Sequence, residues 1–121
     1  MSKRILVVED QEDSRRILRD LLTSADYEIM EAVNGEEALT AAATQRPDLI
    51  LMDTQLPIID GYEATRRIKA DPTLMHVPVI AVTSYALSGD QAKARAAGCD
   101  DFVPKPYSPR QLLAKIRQLL R

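Results

Sequence analysis

Four residues whose side chains suit phosphate and magnesium chemistry follow short apolar runs in this chain. They are Glu9 and Asp10 after residues 5–8, Asp53 after residues 49–52, and Lys105 after residues 102–104. Short apolar runs rich in branched side chains are typical of strands buried on both faces of a parallel sheet. Because ligands of such sheets bind beyond the carboxyl ends of the strands, the sequence predicts that three acids and a lysine meet in one pocket.

Carboxylates held close together repel one another unless protons or a cation screen them. Oxygen ligands without a neighbouring His or Cys favour Mg²⁺, with Mn²⁺ as the alternative ion. Asp10 and Asp53 are expected to be direct ligands and Glu9 a ligand through water. The chain turns back after Asp53, so the backbone carbonyl of Gln55 is expected to supply a further oxygen.

A carboxylate beside a bound magnesium ion can itself attack phosphorus and form an acyl phosphate. Phosphoryl transfer asks the protein mainly to position groups and to neutralise charge on the phosphoryl oxygens. Asp53 is the candidate nucleophile and Lys105 the candidate fixed positive charge. The hydroxyl of Thr83, which ends a fourth apolar run, is expected to donate a hydrogen bond.

The elements that must position these residues alternate along the chain, because strand-like runs give way to amphipathic stretches of helical period. The first amphipathic stretch carries Ile17, Leu18, Leu21 and Leu22 at helical spacing. Strands are predicted near residues 5–8, 27–32, 48–53, 77–82 and 101–103, and helices near residues 12–22, 36–45, 62–70, 90–97 and 111–120. Several boundaries are set by turn and breaker residues, namely Asn34-Gly35, Pro47, Asp71-Pro72 and Gly98.

This alternation predicts an α/β fold: a flavodoxin-like (βα)5 doubly wound sandwich whose parallel sheet has the order 2-1-3-4-5. That order places strands one and three side by side, with the acids at their ends. No internal repeat or linker is evident in the 121 residues. We expect residues 1–121 to be a single domain with no output domain.

The composition is that of an ordinary globular protein, with 45% hydrophobic and 28% charged residues. A net charge of -2 gives no general attraction to nucleic acid. No apolar stretch approaches the ~20 residues needed to span a bilayer, so no membrane insertion is expected. The single Cys99 cannot form an internal disulfide, and a cytoplasmic location is expected.

Over its whole length the chain resembles the receiver domains of two-component response regulators. The pieces that carry the resemblance stand in order: Val7-Val8-Glu9-Asp10, residues 48–53 followed by Leu56-Pro57 and Asp60-Gly61, residues 78–83, Ala97-Gly98 and Lys105-Pro106. The resemblance implies that Asp53 accepts phosphate from a histidine kinase or a histidine phosphotransfer protein. Glu9 and Asp10 would then hold magnesium, and Thr83 and Lys105 would contact the phosphoryl group. A cis Lys105-Pro106 peptide is also implied.

The resemblance further implies a switch in which Thr83 moves toward the phosphoryl group and Phe102 rotates inward. The face formed by the fourth helix, fifth strand and fifth helix would then change shape and alter binding to a downstream protein target. Gln55 and Tyr85 would overhang the pocket and tune access of water to the acyl phosphate. The domain would be a monomer or a phosphorylation-dependent dimer, and it looks most like single-domain cell-cycle regulators and the receivers of hybrid kinases.

Other functions fit the residues less well. A hydrolase of haloacid-dehalogenase type needs a second acid two positions after the nucleophile, where this chain has Gln55, so no turnover enzyme is expected. A flavodoxin needs a phosphate cradle, whereas residues 9–13 would repel phosphate. A degenerate receiver that only binds partners is the third alternative, and the intact set of pocket residues opposes it.

Several residues have a simpler interpretation than a functional one. His76 is expected at the surface, and Cys99 as a small packed residue. Arg15, Arg16 and Arg19 are read either as a solvated face of the first helix or as a docking surface for the phosphotransfer partner.

Overall fold

The computed structural model describes residues 2–83 and 88–120, and in this part of the chain five strands and five helices alternate. The strands are β1 (Arg4–Val8), β2 (Glu28–Ala32), β3 (Leu49–Asp53), β4 (Val79–Thr83) and β5 (Asp101–Pro104). The helices are α1 (Glu12–Ser24), α2 (Gly35–Gln45), α3 (Gly61–Ala70), α4 (Ser88–Ala97) and α5 (Pro109–Leu119).

The strands form one parallel sheet in the order β2-β1-β3-β4-β5, which confirms the predicted topology. β1 and β3 are neighbours, and Val8 pairs with Met52 at the ends of the two strands. On the other side of β3, Asp53 pairs with Val82 of β4. The carboxyl ends of β1, β3 and β4 therefore lie side by side.

Helices cover both faces of the sheet, and successive strand residues point to opposite layers. Ile5 and Val7 pack in a cluster with the buried leucines of α1 and α5, whereas Leu6 and Val8 pack with the alanines of α2 and with α3. All four of these strand residues are buried. Burial on both faces explains why the strands read as continuous apolar runs rather than as alternating ones.

Several element boundaries differ from the prediction for local reasons. β4 begins at Val79 rather than at residue 77, because the Val77 amide donates to the Leu74 carbonyl in a turn (2.9 Å) and Pro78 follows it. α5 begins at Pro109 rather than at residue 111, because the Ser108 side chain caps the helix. α4 begins two residues earlier than predicted, at Ser88.

Not every apolar residue of α1 is buried. Leu18 and Leu22 lie in the core, whereas Ile17 is 60% exposed. Helical spacing groups Ile17 with Leu18, Leu21 and Leu22, but Ile17 lies one step around the helix from Leu18 and outside the buried face. Within the described residues, no helix combines the length and the apolar character needed to cross a lipid bilayer.

Candidate phosphoryl and metal site

The loop after β1 places two acids at the carboxyl end of the sheet. The Glu9 amide donates to the Ala32 carbonyl of β2 (3.0 Å), so the chain is still tied to the sheet at this point. Glu9 is only 1% exposed, and its side-chain Oε2 accepts a hydrogen bond from the Gln11 amide (3.0 Å). The carboxylate of Glu9 thus turns into the molecule just as the chain leaves the strand.

Asp53 ends β3 and is 5% exposed. Its Oδ1 accepts a hydrogen bond from the Gln55 amide (3.0 Å), which fixes the start of the following loop. Gly61, the first residue of α3, approaches so closely that a Cβ atom there would lie 2.0 Å from the Asp53 carbonyl oxygen. Only glycine allows this approach, so the helix start holds the end of the strand in place.

Lys105 brings the end of β5 to the same point. Its Nζ donates to Glu9 Oε1 (2.7 Å) and to Asp53 Oδ2 (3.3 Å), and its backbone amide donates to the Thr83 carbonyl (2.6 Å). The Lys105-Pro106 peptide is cis, as the resemblance implied. The Lys105 side chain thus links Glu9 and Asp53, which lie 96 and 52 positions before it in the sequence.

The three carboxylates form a compact oxygen cluster. Glu9, Asp10 and Asp53 each offer an oxygen, and the three atoms lie within 4.8 Å of one another. This set contains no nitrogen or sulfur ligand and therefore fits a hard divalent cation such as Mg²⁺. The structure brings the predicted ligands together; whether each binds the ion directly or through water stays a prediction, as does the role of the Gln55 carbonyl.

The charges in the cluster shift the proton affinities of its members. Partial desolvation, a hydrogen bond with Glu9 and the Glu9 charge raise the pKa of Asp10 above its usual value of 3.8. For Lys105, partial burial disfavours the charged form, but the hydrogen bond to Glu9 and the charges of Asp53 and Glu9 outweigh it. The pKa of Lys105 is therefore raised, and the ammonium stays charged at neutral pH.

The two residues of the expected switch lie near each other on neighbouring strands. Thr83 is buried at the end of β4 and pairs with Pro104, while Phe102 pairs with Ala81 two positions earlier. Phe102 is half-buried and lines a small cavity of about 80 Å³ with Gln91 of α4. Its side chain therefore borders both the sheet and the surface helix. Tyr85 lies outside the described residues.

The structure corrects the view of the three arginines as one solvated face. Arg15 and Arg19 both pair with Glu31 of β2, at 3.2 and 3.0 Å. Only Arg16, which pairs with Asp13 one turn earlier, lies well out in solvent. The sequence pattern does not predict these contacts, because Glu31 comes from a different element.

An apolar groove beside Lys105 is a further feature that the sequence did not predict. It has a volume of about 290 Å³. Its lining combines α1, the acidic loop and the β5–α5 connection: Glu9, Ser14, Ile17, Leu18, Lys105, Pro106, Tyr107 and Pro109. The one available signal was Ile17, an isoleucine one step beyond the buried stripe of its helix.

The expectations for two other residues hold. His76 is exposed. Cys99 is half-buried against the core cluster of α2 and α3, and burial raises the pKa of its thiol to about 11.

Comparison with known proteins gives a consistent result. The family model described as the response regulator receiver domain matches residues 5–117. The polar-differentiation response regulator DivK of Brucella anthropi is 43% identical over 120 residues, which cover 99% of this chain and 98% of DivK.

Solved structures agree with this. The receiver domain of the sensor histidine kinase PA1611 from Pseudomonas aeruginosa is 36% identical, with a TM-score of 0.93 over 99% of this chain and 98% of that one. That structure has a magnesium ion coordinated in its active site cleft. A response regulator from Chloroflexus aurantiacus, described as putative, superposes with a TM-score of 0.96 at 29% identity, covering 99% and 98% of the two chains.

Proposed function

The chain belongs to the family of response regulator receiver domains, and we propose that Asp53 is the residue that accepts the phosphoryl group. One observation carries this assignment: the buried Asp53 carboxylate contacts Lys105 and lies within 4.8 Å of two further acids. A buried acid with a fixed cation and a metal-binding set beside it suits phosphoryl transfer.

In the proposed reaction a carboxylate oxygen of Asp53 attacks the phosphorus of a phosphohistidine on a histidine kinase or histidine phosphotransfer protein. The new P–O bond forms as the P–N bond breaks, and the histidine nitrogen leaves with the electron pair. Asp10, Asp53, the Gln55 carbonyl and, through water, Glu9 would hold a magnesium ion, which would supply neutralisation of the phosphoryl charge. Lys105 remains close to Glu9 and stabilises the phosphoryl oxygens.

We propose that the groove beside Lys105 receives the phosphohistidine-bearing helix of the partner. Ile17 and Tyr107 contribute apolar surface to its lining, and Lys105 links the groove to the reacting carboxylate. Large exposed apolar side chains at such a surface mark protein contacts. The earlier alternative of a docking surface on α1 is thus retained, but it depends on Ile17 rather than on the arginines.

We propose that phosphorylation changes the face formed by α4, β5 and α5. The phosphoryl group adds about two negative charges and draws the Thr83 hydroxyl toward it. Phe102, on the neighbouring strand and beside the cavity next to α4, then rotates inward. A downstream protein would recognise the altered face.

Some finer features are proposals that extend the family assignment. We propose that residues 1–121 work as one receiver unit in the cytoplasm, as a monomer or a phosphorylation-dependent dimer. Mg²⁺ is the proposed ion at the oxygen cluster, and Mn²⁺ is the alternative. The likeness to DivK supports a role of the single-domain cell-cycle type, and the likeness to a kinase receiver supports the hybrid-kinase alternative.

The catalytic behaviour follows from the same assignment. The domain would promote its own phosphorylation and dephosphorylation without acting as a turnover enzyme. The family match gives no support to a hydrolase of haloacid-dehalogenase type.

Phosphorylation by acetyl phosphate with Mg²⁺ tests the assignment. Intact-mass spectrometry should show one added phosphoryl group on the wild type and none on Asp53→Asn. Asp60→Asn is the matched control, because Asp60 lies in the same loop but caps α3 through Oδ1, a function that Asn also performs. Equal labelling of wild type and Asp53→Asn would refute the role of Asp53.

A further inference from the structure

Arg15 reaches from the first turns of α1 back to the acidic loop. Its Nη1 donates to the Glu9 carbonyl (3.1 Å) and lies 3.5 Å from the Asp10 carbonyl. The side chain is only 17% exposed, unlike most surface arginines. One guanidinium nitrogen therefore contacts the backbone of both acids that precede α1.

The other side of the guanidinium is held by β2. Arg15 Nε donates to Glu31 Oε1 at 3.2 Å, and the Ala32 carbonyl, next along the strand, accepts the Glu9 amide. The acidic loop is thus fixed to β2 twice, once through its own amide and once through Arg15. Arg19 also pairs with Glu31, but in the described part of the chain its side chain makes no hydrogen bond or ion pair to the loop.

We propose that Arg15 is a positioning residue that sets the affinity of the site for its divalent cation. This inference rests on the proposed function, because it takes the oxygen cluster to be a metal site. Without a cation the three carboxylates repel one another, and a movement of the loop that separates Glu9 from Asp10 would reduce this repulsion. Arg15 opposes that movement by holding both carbonyls, so the ligands stay preorganised for the ion.

A purely structural role predicts something else. If Arg15 only ties α1 to β2 through Glu31, then Arg19, which makes the same kind of pair, should be equivalent to it. Arg19→Gln is therefore the matched control, since it removes a cation from Glu31 and leaves the loop contacts in place.

Titration of Mg²⁺ by calorimetry, without any phosphodonor, tests the proposal on the full chain. Loss of a residue that orients metal ligands typically weakens metal affinity by 10- to 100-fold, so Arg15→Gln should raise the Kd for Mg²⁺ roughly tenfold. Arg19→Gln should leave the Kd within about twofold, as expected for a surface substitution. Arg15→Lys should recover part of the loss, because an ammonium can still donate to a carbonyl.

The outcomes distinguish the proposed role of Arg15 from the proposed metal site on which it rests. An unchanged Kd in Arg15→Gln, or an equal rise in Arg19→Gln, would overturn the role of Arg15 while leaving the metal site intact. Absence of Mg²⁺ binding by the wild type would overturn both. If Arg15→Gln does not fold, as judged by circular dichroism, Arg15→Lys decides: its Kd for Mg²⁺ should lie between the wild-type value and a tenfold rise, and a Kd equal to that of the wild type would contradict the proposal.

Discussion

Asp10→Asn should stabilise the metal-free protein and remove its stabilisation by Mg²⁺. The pKa of Asp10 is raised by partial desolvation and by Glu9, so at neutral pH its charge is disfavoured in the folded state. A carboxyl group with a raised folded-state pKa costs stability at pH values above that pKa, and the cost disappears as pH falls through it. Replacing the carboxylate with a neutral amide of the same shape removes this cost.

The size of the effect follows from the geometry of the cluster. Two unit charges at 4.8 Å, the upper limit for the Glu9, Asp10 and Asp53 ligand oxygens, repel by about 1 kcal/mol in water and about 3.5 kcal/mol at an effective dielectric constant of ~20. Solvent at the mouth of the site and attraction to Lys105 reduce the larger figure. We therefore expect a gain of about 1 to 2 kcal/mol, or about 4 to 8 °C in Tm for a domain of this size.

With Mg²⁺ bound, the wild type should become more stable than Asp10→Asn. An ion that binds only the folded state stabilises it by about 1.4 kcal/mol at tenfold its Kd and about 2.7 kcal/mol at a hundredfold. The wild type should gain this stabilisation from Mg²⁺, whereas Asp10→Asn should not. Thermal unfolding followed by circular dichroism, in EDTA and across a Mg²⁺ series, measures both effects.

The matched control for this experiment is Asp13→Asn. The Asp13 side chain is 90% exposed and lies outside the cluster, so this change should shift stability by less than about 0.5 kcal/mol. The reasoning is refuted if Asp10→Asn is no more stable than the wild type in EDTA, or if Mg²⁺ stabilises both proteins equally.

Two further predictions concern packing and the thiol. Gly61→Ala should destabilise the fold by about 3 kcal/mol in urea unfolding and slow phosphorylation, because the new Cβ meets the Asp53 carbonyl oxygen; an unchanged midpoint would contradict this. With a pKa of about 11 against an ordinary 9.0, native Cys99 should react with iodoacetamide at pH 8 roughly 100-fold more slowly than a free cysteine. The rate should climb as pH rises toward that pKa, and fast labelling at pH 8 would show that the thiol is not buried.

Much of the fold could be predicted because the local signals and the topology rules agree. Buried parallel strands give continuous apolar runs, and turn residues separate them from amphipathic helices. Since parallel strands end at one edge, residues that follow the strands must approach one another. That rule brought Glu9, Asp53 and Lys105 to one place without any knowledge of distances.

The remaining features could not be predicted because they depend on which elements pack together. Helical periodicity places Ile17 beside Leu18 but does not show where the edge of the buried face lies. Arg15 reads as a surface cation until Glu31 and the acidic loop are placed against it. Such partners are specified by tertiary packing and not by spacing along the chain.

The charge balance of the cluster connects metal binding to the proposed switch. Glu9, Asp10 and Asp53 carry three negative charges against the single positive charge of Lys105, so one divalent cation completes neutrality. Phosphorylation at Asp53, as proposed, would replace its carboxylate charge with about two negative charges, and the site would become about one charge more negative with the ion in place. Because Lys105 already donates to Glu9, neighbouring hydrogen-bond donors would have to stabilise the added negative charge. The Thr83 hydroxyl, at the end of the adjacent strand, would be such a donor. Its movement toward the phosphoryl group would connect the added charge to the α4–β5–α5 face.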